Sequence, residues 1–139
     1  MPLKQAFKWM TLASFTAVFA ILLKLGSWSG DSAGLFALLF IWVWAAGPLA
    51  LPYLLSWGDR SGGVRRTFFL VFLVDLLFTG WMFYTILSSD SSTAGLGVFT
   101  MPALSWIGVI AASTLVVAVS GYRPTLSDSA PPPQSPPPA

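Results

Sequence analysis

The sequence predicts an all-α integral membrane protein: a four-transmembrane-helix bundle with short loops and a disordered proline-rich C-terminal tail. Three observations predict it. Hydrophobic residues make up 55% of the 139 residues and charged residues only 9%, against about 25% charged residues in an average soluble domain. Four apolar runs each approach the ~20 residues needed to cross a hydrocarbon core about 30 Å thick. The connections between them are short and rich in Gly, Ser and Asp, residues that favour turns over continued helix.

The first run covers about 7–25, the second 35–55, the third 67–87 and the fourth 98–119. Helices are required because, in lipid, every backbone N–H and C=O must be satisfied inside the segment or inside a closed barrel. The strict alternation of a barrel strand is absent. Short links make consecutive helices antiparallel neighbours, so residues 1–122 are expected to form one transmembrane domain. In the first run, Lys4 and Lys8 precede an apolar stretch, and Val18-Phe19-Ala20 resembles a signal-peptidase site. The apolar run continues through Ile21, Leu22 and Leu23, which favours an uncleaved anchor over a removed signal. Residues 123–139 change character to Pro131-Pro132-Pro133-Gln134-Ser135-Pro136 and its surroundings, a solvated, polyproline-II-like composition without apolar periodicity. The P-x-x-P pattern from Pro133 to Pro136 is nearly inevitable in such a string and does not by itself mark a ligand.

Charge sets the expected orientation. Lys4, Lys8, Arg60, Arg65, Arg66 and Arg123 all fall on one side if the helices alternate, and only Lys24 falls on the other. Lys and Arg accumulate in cytoplasmic loops, so both termini are expected in the cytoplasm. The net charge of +2 comes from scattered residues rather than a basic stripe, which argues against nucleic acid. Trp9, Trp28 and Trp57 lie near expected boundaries, where an indole buries its ring and keeps its N–H wet. Trp42, Trp44 and Trp81 lie deeper and read as packing or lipid contact.

One ionisable residue lies well inside a span. Asp75 is eight residues into the run 67–87, which places it ~12 Å from the inner boundary at 1.5 Å per residue. A charge near the bilayer centre costs roughly 2.5–3.5 kcal/mol on insertion scales, and no basic residue lies at that depth in the same chain. Phe68, Val71, Phe72, Phe78, Thr79 and Met82 share its helix face, which should point into the bundle. Depth counting offers Ser14 and Thr16 on the first helix and Ser113 and Thr114 on the fourth as partners. The second helix offers another. Pro48 and Pro52 lack N–H groups, so the carbonyls of Trp44 and Pro48 lose their helical donors. With Gly47 adjacent, a kink is expected there, and Asp75 in its neutral form could donate to a freed carbonyl. The candidate site is therefore Asp75, Thr79, Ser113, Trp44 and Pro48, acting either as a proton or cation site or as a hydrogen-bonded packing centre.

Close helix approach is expected at pairs of small residues four apart: Ala13 and Ala17, Ala46 and Ala50, and Gly108 and Ala112. Ordinary packing within the bundle is the expected use. Pro102 is expected in the first turn or so of the fourth helix, where proline is tolerated.

Catalysis is the class most weakened by composition. The chain has no Cys, His, Asn or Glu. A serine-protease triad lacks its base, a zinc site lacks His and Glu, and an aspartyl dyad needs a second carboxylate in the spans. No cofactor and no metal is expected. The leading expectation is a small multi-pass membrane protein with a non-enzymatic binding, accessory or immunity-type role. Its partners would be the lipid bilayer and another membrane protein or a homo-oligomer, in a bacterial cytoplasmic (inner) membrane. The alternative is a proton- or cation-coupled small transporter or channel subunit using Asp75.

Overall fold

A computed structural model describes residues 2–26, 30–59, 62–89 and 94–122, with side chains in the last stretch described from Gly97 onward. The tail 123–139, Trp28, Arg60 and Arg123 lie outside the described residues. The described chain is all-helical: α1 (Leu3–Leu25), α2 (Ser32–Leu55), α3 (Gly63–Leu87) and α4 (Ala94–Ser120). Each of the four is long and apolar enough to cross a membrane.

The helix ends agree with the apolar runs within one residue, but every helix starts three or four residues earlier than hydropathy places it. The difference is physical. Hydropathy finds the part of a helix that suits hydrocarbon, whereas the first turn is set by capping and can be polar. Lys4 and Gln5 open α1, and Arg65 and Arg66 lie in the first turn of α3. Asp31 caps α2 through its side chain, accepting from the Gly34 N–H at 2.9 Å. Gly62, at φ 77°, turns the chain into α3 in the left-handed region that a side chain disfavours. Because α4 begins at Ala94, Pro102 lies well inside it rather than in its first turn.

Ring contacts fix the antiparallel arrangement. Phe7 near the start of α1 meets Tyr53 near the end of α2 at 5.3 Å, and Phe69 and Phe72 near the start of α3 at 5.2 Å each. Phe68 meets Tyr122, just beyond α4, at 6.4 Å. Both ends of the described chain therefore share one end of the bundle with Lys4, Lys8, Arg65 and Arg66. Lys24 lies in the last turn of α1, at the opposite end. The two central helices, α2 and α3, touch each other and both outer helices, while α1 and α4 do not meet among the described residues.

At the basic end, the α2–α3 turn is held by a residue that hydropathy overlooks. Asp59 is buried. Its carboxylate accepts from the Arg65 backbone N–H at 2.7 Å, and its carbonyl accepts from the Arg65 guanidinium. A carboxylate on the first free N–H groups of a helix is also favoured by the helix dipole. Burial raises the Tyr122 phenol above its ordinary value of 10.0, and the Asp59 carboxylate adds to that shift.

The α2–α4 contact is a latch. The Trp106 indole donates to the Trp44 carbonyl at 2.9 Å, and the Trp44 indole donates to the Phe99 carbonyl at 3.3 Å. Gly47 makes room for it: a Cβ there would lie 2.4 Å from the Trp106 ring. Glycine is present because a ring occupies the space of its missing side chain. On the other side of α2, the Trp42 indole donates to the Phe15 carbonyl of α1 at 2.9 Å.

Candidate functional site

Asp75 is the central residue of α3, with twelve residues before it and twelve after it in Gly63–Leu87. It is 5% exposed, and Phe68, Phe72, Thr79 and Met82 on the same face are buried with it. Val71 and Phe78, also expected on that face, are half-buried and line an outward-opening groove instead. Asp75 Oδ1 accepts a hydrogen bond from the Ser105 hydroxyl of α4. Asp75 Oδ2 is buried and has no hydrogen-bond partner among the described residues. An unpaired buried oxygen of this kind costs ~1–3 kcal/mol, so its retention calls for an explanation outside the isolated bundle.

Ser105 is the functional neighbour that sequence reasoning missed. The apolar run begins at residue 67, but α3 begins at Gly63, so Asp75 lies ~18 Å along the helix rather than ~12 Å. Counting the same twelve steps back from Ser120 reaches Gly108, and Ser105 is within one turn of it. The nominated hydroxyls turn elsewhere. Ser14, Thr16 and Thr114 each donate to the carbonyl four residues earlier in their own helix. Ser113 is buried without a partner among the described residues.

The rest of the expected constellation is not assembled around Asp75. The Trp44 carbonyl, freed by Pro48, is taken by the Trp106 indole instead of the carboxyl. Pro48 is buried within α2, which continues as one helix through Pro48 and Pro52. Thr79 is buried one turn beyond Asp75 and lines a different groove, between α1 and α3, with Ala13, Ala17 and Gly80. Of the topology residues, Lys4, Lys8, Arg65 and Arg66 lie at the end described above, and none of these four approaches the centre of a span.

The Asp75–Ser105 pair forms the floor of a groove of about 510 Å³ between α3 and α4. The walls are almost wholly aliphatic: Leu70, Val71 and Val74 from α3, and Leu104, Val109 and Ala112 from α4. The rim faces outward, with Val74 68% and Leu104 57% exposed. The small pairs also differ from expectation. Ala46 is buried in the bundle and Ala50 and Ala112 are half-buried, whereas Ala13, Ala17 and Gly108 are exposed. A Cβ on Gly108 would meet nothing within 4 Å. Mostly apolar concavities of this size with a few placed polar groups are the usual form of a binding site. No cluster of three metal-ligating side chains occurs among the described residues.

Comparison with known family models, with curated proteins and with solved structures gives no match, so what this site does rests on its own chemistry.

Proposed function

We propose that the chain is a non-enzymatic, membrane-embedded binding protein, an accessory or immunity-type subunit that holds another membrane component against its α3–α4 face. The observation that carries this reading is the outward groove with a half-satisfied carboxyl at mid-span. Intramembrane carboxyls are costly and are kept where they do something. An apolar surface facing lipid makes no demand for burial in water's sense, so association there is governed by close packing and by polar groups seeking partners.

The test is site-specific photo-crosslinking in intact membranes, with the reactive residue at Val74 or Leu104 on the groove rim and at Leu12 on the exposed face of α1. A discrete protein adduct from the rim positions and none from Leu12 is the expected result. Lipid adducts alone at all three positions would remove the reading. The basic end belongs in the cytoplasm by the bias of Lys and Arg, and the setting is a bacterial cytoplasmic (inner) membrane. A reporter fused at residue 62 should then respond as a cytoplasmic one.

The rival reading makes Asp75 a proton or cation site in a small transporter or channel subunit. It draws on the same unpaired Oδ2 and on the buried, unpartnered hydroxyls of Thr11 and Ser113. Asp75-dependent proton flux in liposomes would favour it.

A further inference from the structure

We infer that the occupant of the α3–α4 groove is a transmembrane helix of another protein carrying a lysine or arginine at mid-span, which pairs with Asp75. This rests on the binding role proposed above and names the partner's chemistry.

Length selects a helix. The groove around Asp75 adjoins a second one of about 490 Å³, and Thr67 lines both. Together they follow α4 from Leu104 to Ser120. Sixteen residue steps at 1.5 Å make ~24 Å, most of a hydrocarbon core about 30 Å thick. A compact ligand would occupy only part of that track. The α4 wall also carries Ser105, Gly108 and Ala112 at spacings of three and four, so a neighbouring backbone can come close. Gly108 is exposed and has open space where its Cβ would be, so a neighbouring helix meets no side chain there.

Charge selects a cation. Asp75 is the only acid or base in the middle of any span, and its second oxygen lacks a donor among the described residues. Intramembrane ionisable groups pair with one another when they can. The chain's seven basic residues are Lys4, Lys8, Lys24, Arg60, Arg65, Arg66 and Arg123, each within the first two turns or the last turn of a helix or in sequence outside the helices, and none at mid-span. A second copy therefore brings no cation to this depth, which argues for a different protein over a homodimer. Turning the Asp75 side chain toward the groove would bring Oδ2 to the arriving cation while leaving the walls in place.

The experiment uses the full chain in phosphatidylcholine vesicles and measures energy transfer to two labelled synthetic peptides. Each is a 23-residue Leu/Ala transmembrane helix, one with a single central lysine and one with leucine there. The lysine peptide should bind at least tenfold more tightly, and Asp75→Asn should reduce that preference to about one. Gly108→Leu, at an open position, should weaken both peptides by filling the groove. Unchanged thermal transitions for both variants would show that the fold is intact. Equal binding of the two peptides to the unmodified chain overturns the inference. So does energy transfer between labelled copies of the chain that Gly108→Leu abolishes, since it would make a second copy the occupant. Asp75-dependent binding of tetraphenylphosphonium without a peptide preference overturns it too, in favour of a small lipophilic cation. A rim adduct to a partner lacking a mid-span basic residue would sink this pairing and leave the binding role standing.

Discussion

Gly47→Ala is expected to lower the stability of the bundle by about 1–3 kcal/mol, the usual range for forcing extra volume into a packed contact. The added methyl would sit 2.4 Å from a carbon of the Trp106 ring, closer than nonbonded carbons tolerate. The ring cannot simply turn away, because its N–H holds the Trp44 carbonyl at 2.9 Å. That carbonyl is the one Pro48 deprives of a helical donor. Displacing the indole therefore strips a half-buried acceptor of its partner as well as creating strain. The measurement is thermal unfolding in detergent micelles of four chains: the natural sequence, Gly47→Ala, Trp106→Ala and the double variant. Strong non-additivity is expected, since removing the ring removes the clash. If the two single losses simply add, the ring and the notch are not coupled and the latch is misdescribed.

Asp75→Leu has the opposite expected sign for the isolated chain. Removing a carboxyl from the centre of a span recovers up to about 2.5–3.5 kcal/mol on insertion scales. The single hydrogen bond lost is that from Ser105, worth only about 0.5–1.5 kcal/mol net. The freed hydroxyl has the fallback that Ser14 and Thr114 already use, donation to a carbonyl one turn back. Membrane insertion and micelle stability should therefore be equal or better, while crosslinking from the groove rim should fall. A residue kept at a cost to its own fold is one retained for something else. If Asp75→Leu instead unfolds the protein, the carboxyl is a packing element and the binding role loses its chief support.

Much of the architecture was readable from the residues. Long apolar stretches can only be hydrogen-bonded rods in lipid, and the scarcity of charge made Asp75 visible at once. The helix starts were not readable, because residues such as Lys4 and Arg65 belong to the helix without belonging to the hydrocarbon. The four residues between the start of α3 and the start of its apolar run amount to about one turn of depth, enough to put Ser105 out of register with Asp75 when depth is counted from hydropathy alone. The freed Trp44 carbonyl was foreseen, but its donor was not. The clue is Gly47, since a small residue one turn from an unpaired carbonyl lets a neighbouring element come close. The role of Asp59 was hidden for a different reason. A lone aspartate in a Gly/Ser loop looks like ordinary turn chemistry, and only tertiary structure shows that it is buried.

The latch also constrains the order of events at the ribosome. Both of its indole bonds join residues far apart in the chain, with Trp44 reaching Phe99 and Trp106 reaching Trp44 across separations of 55 and 62 positions. Until translation passes the codon for Trp106, the second span waits in the membrane with a bare carbonyl at its proline.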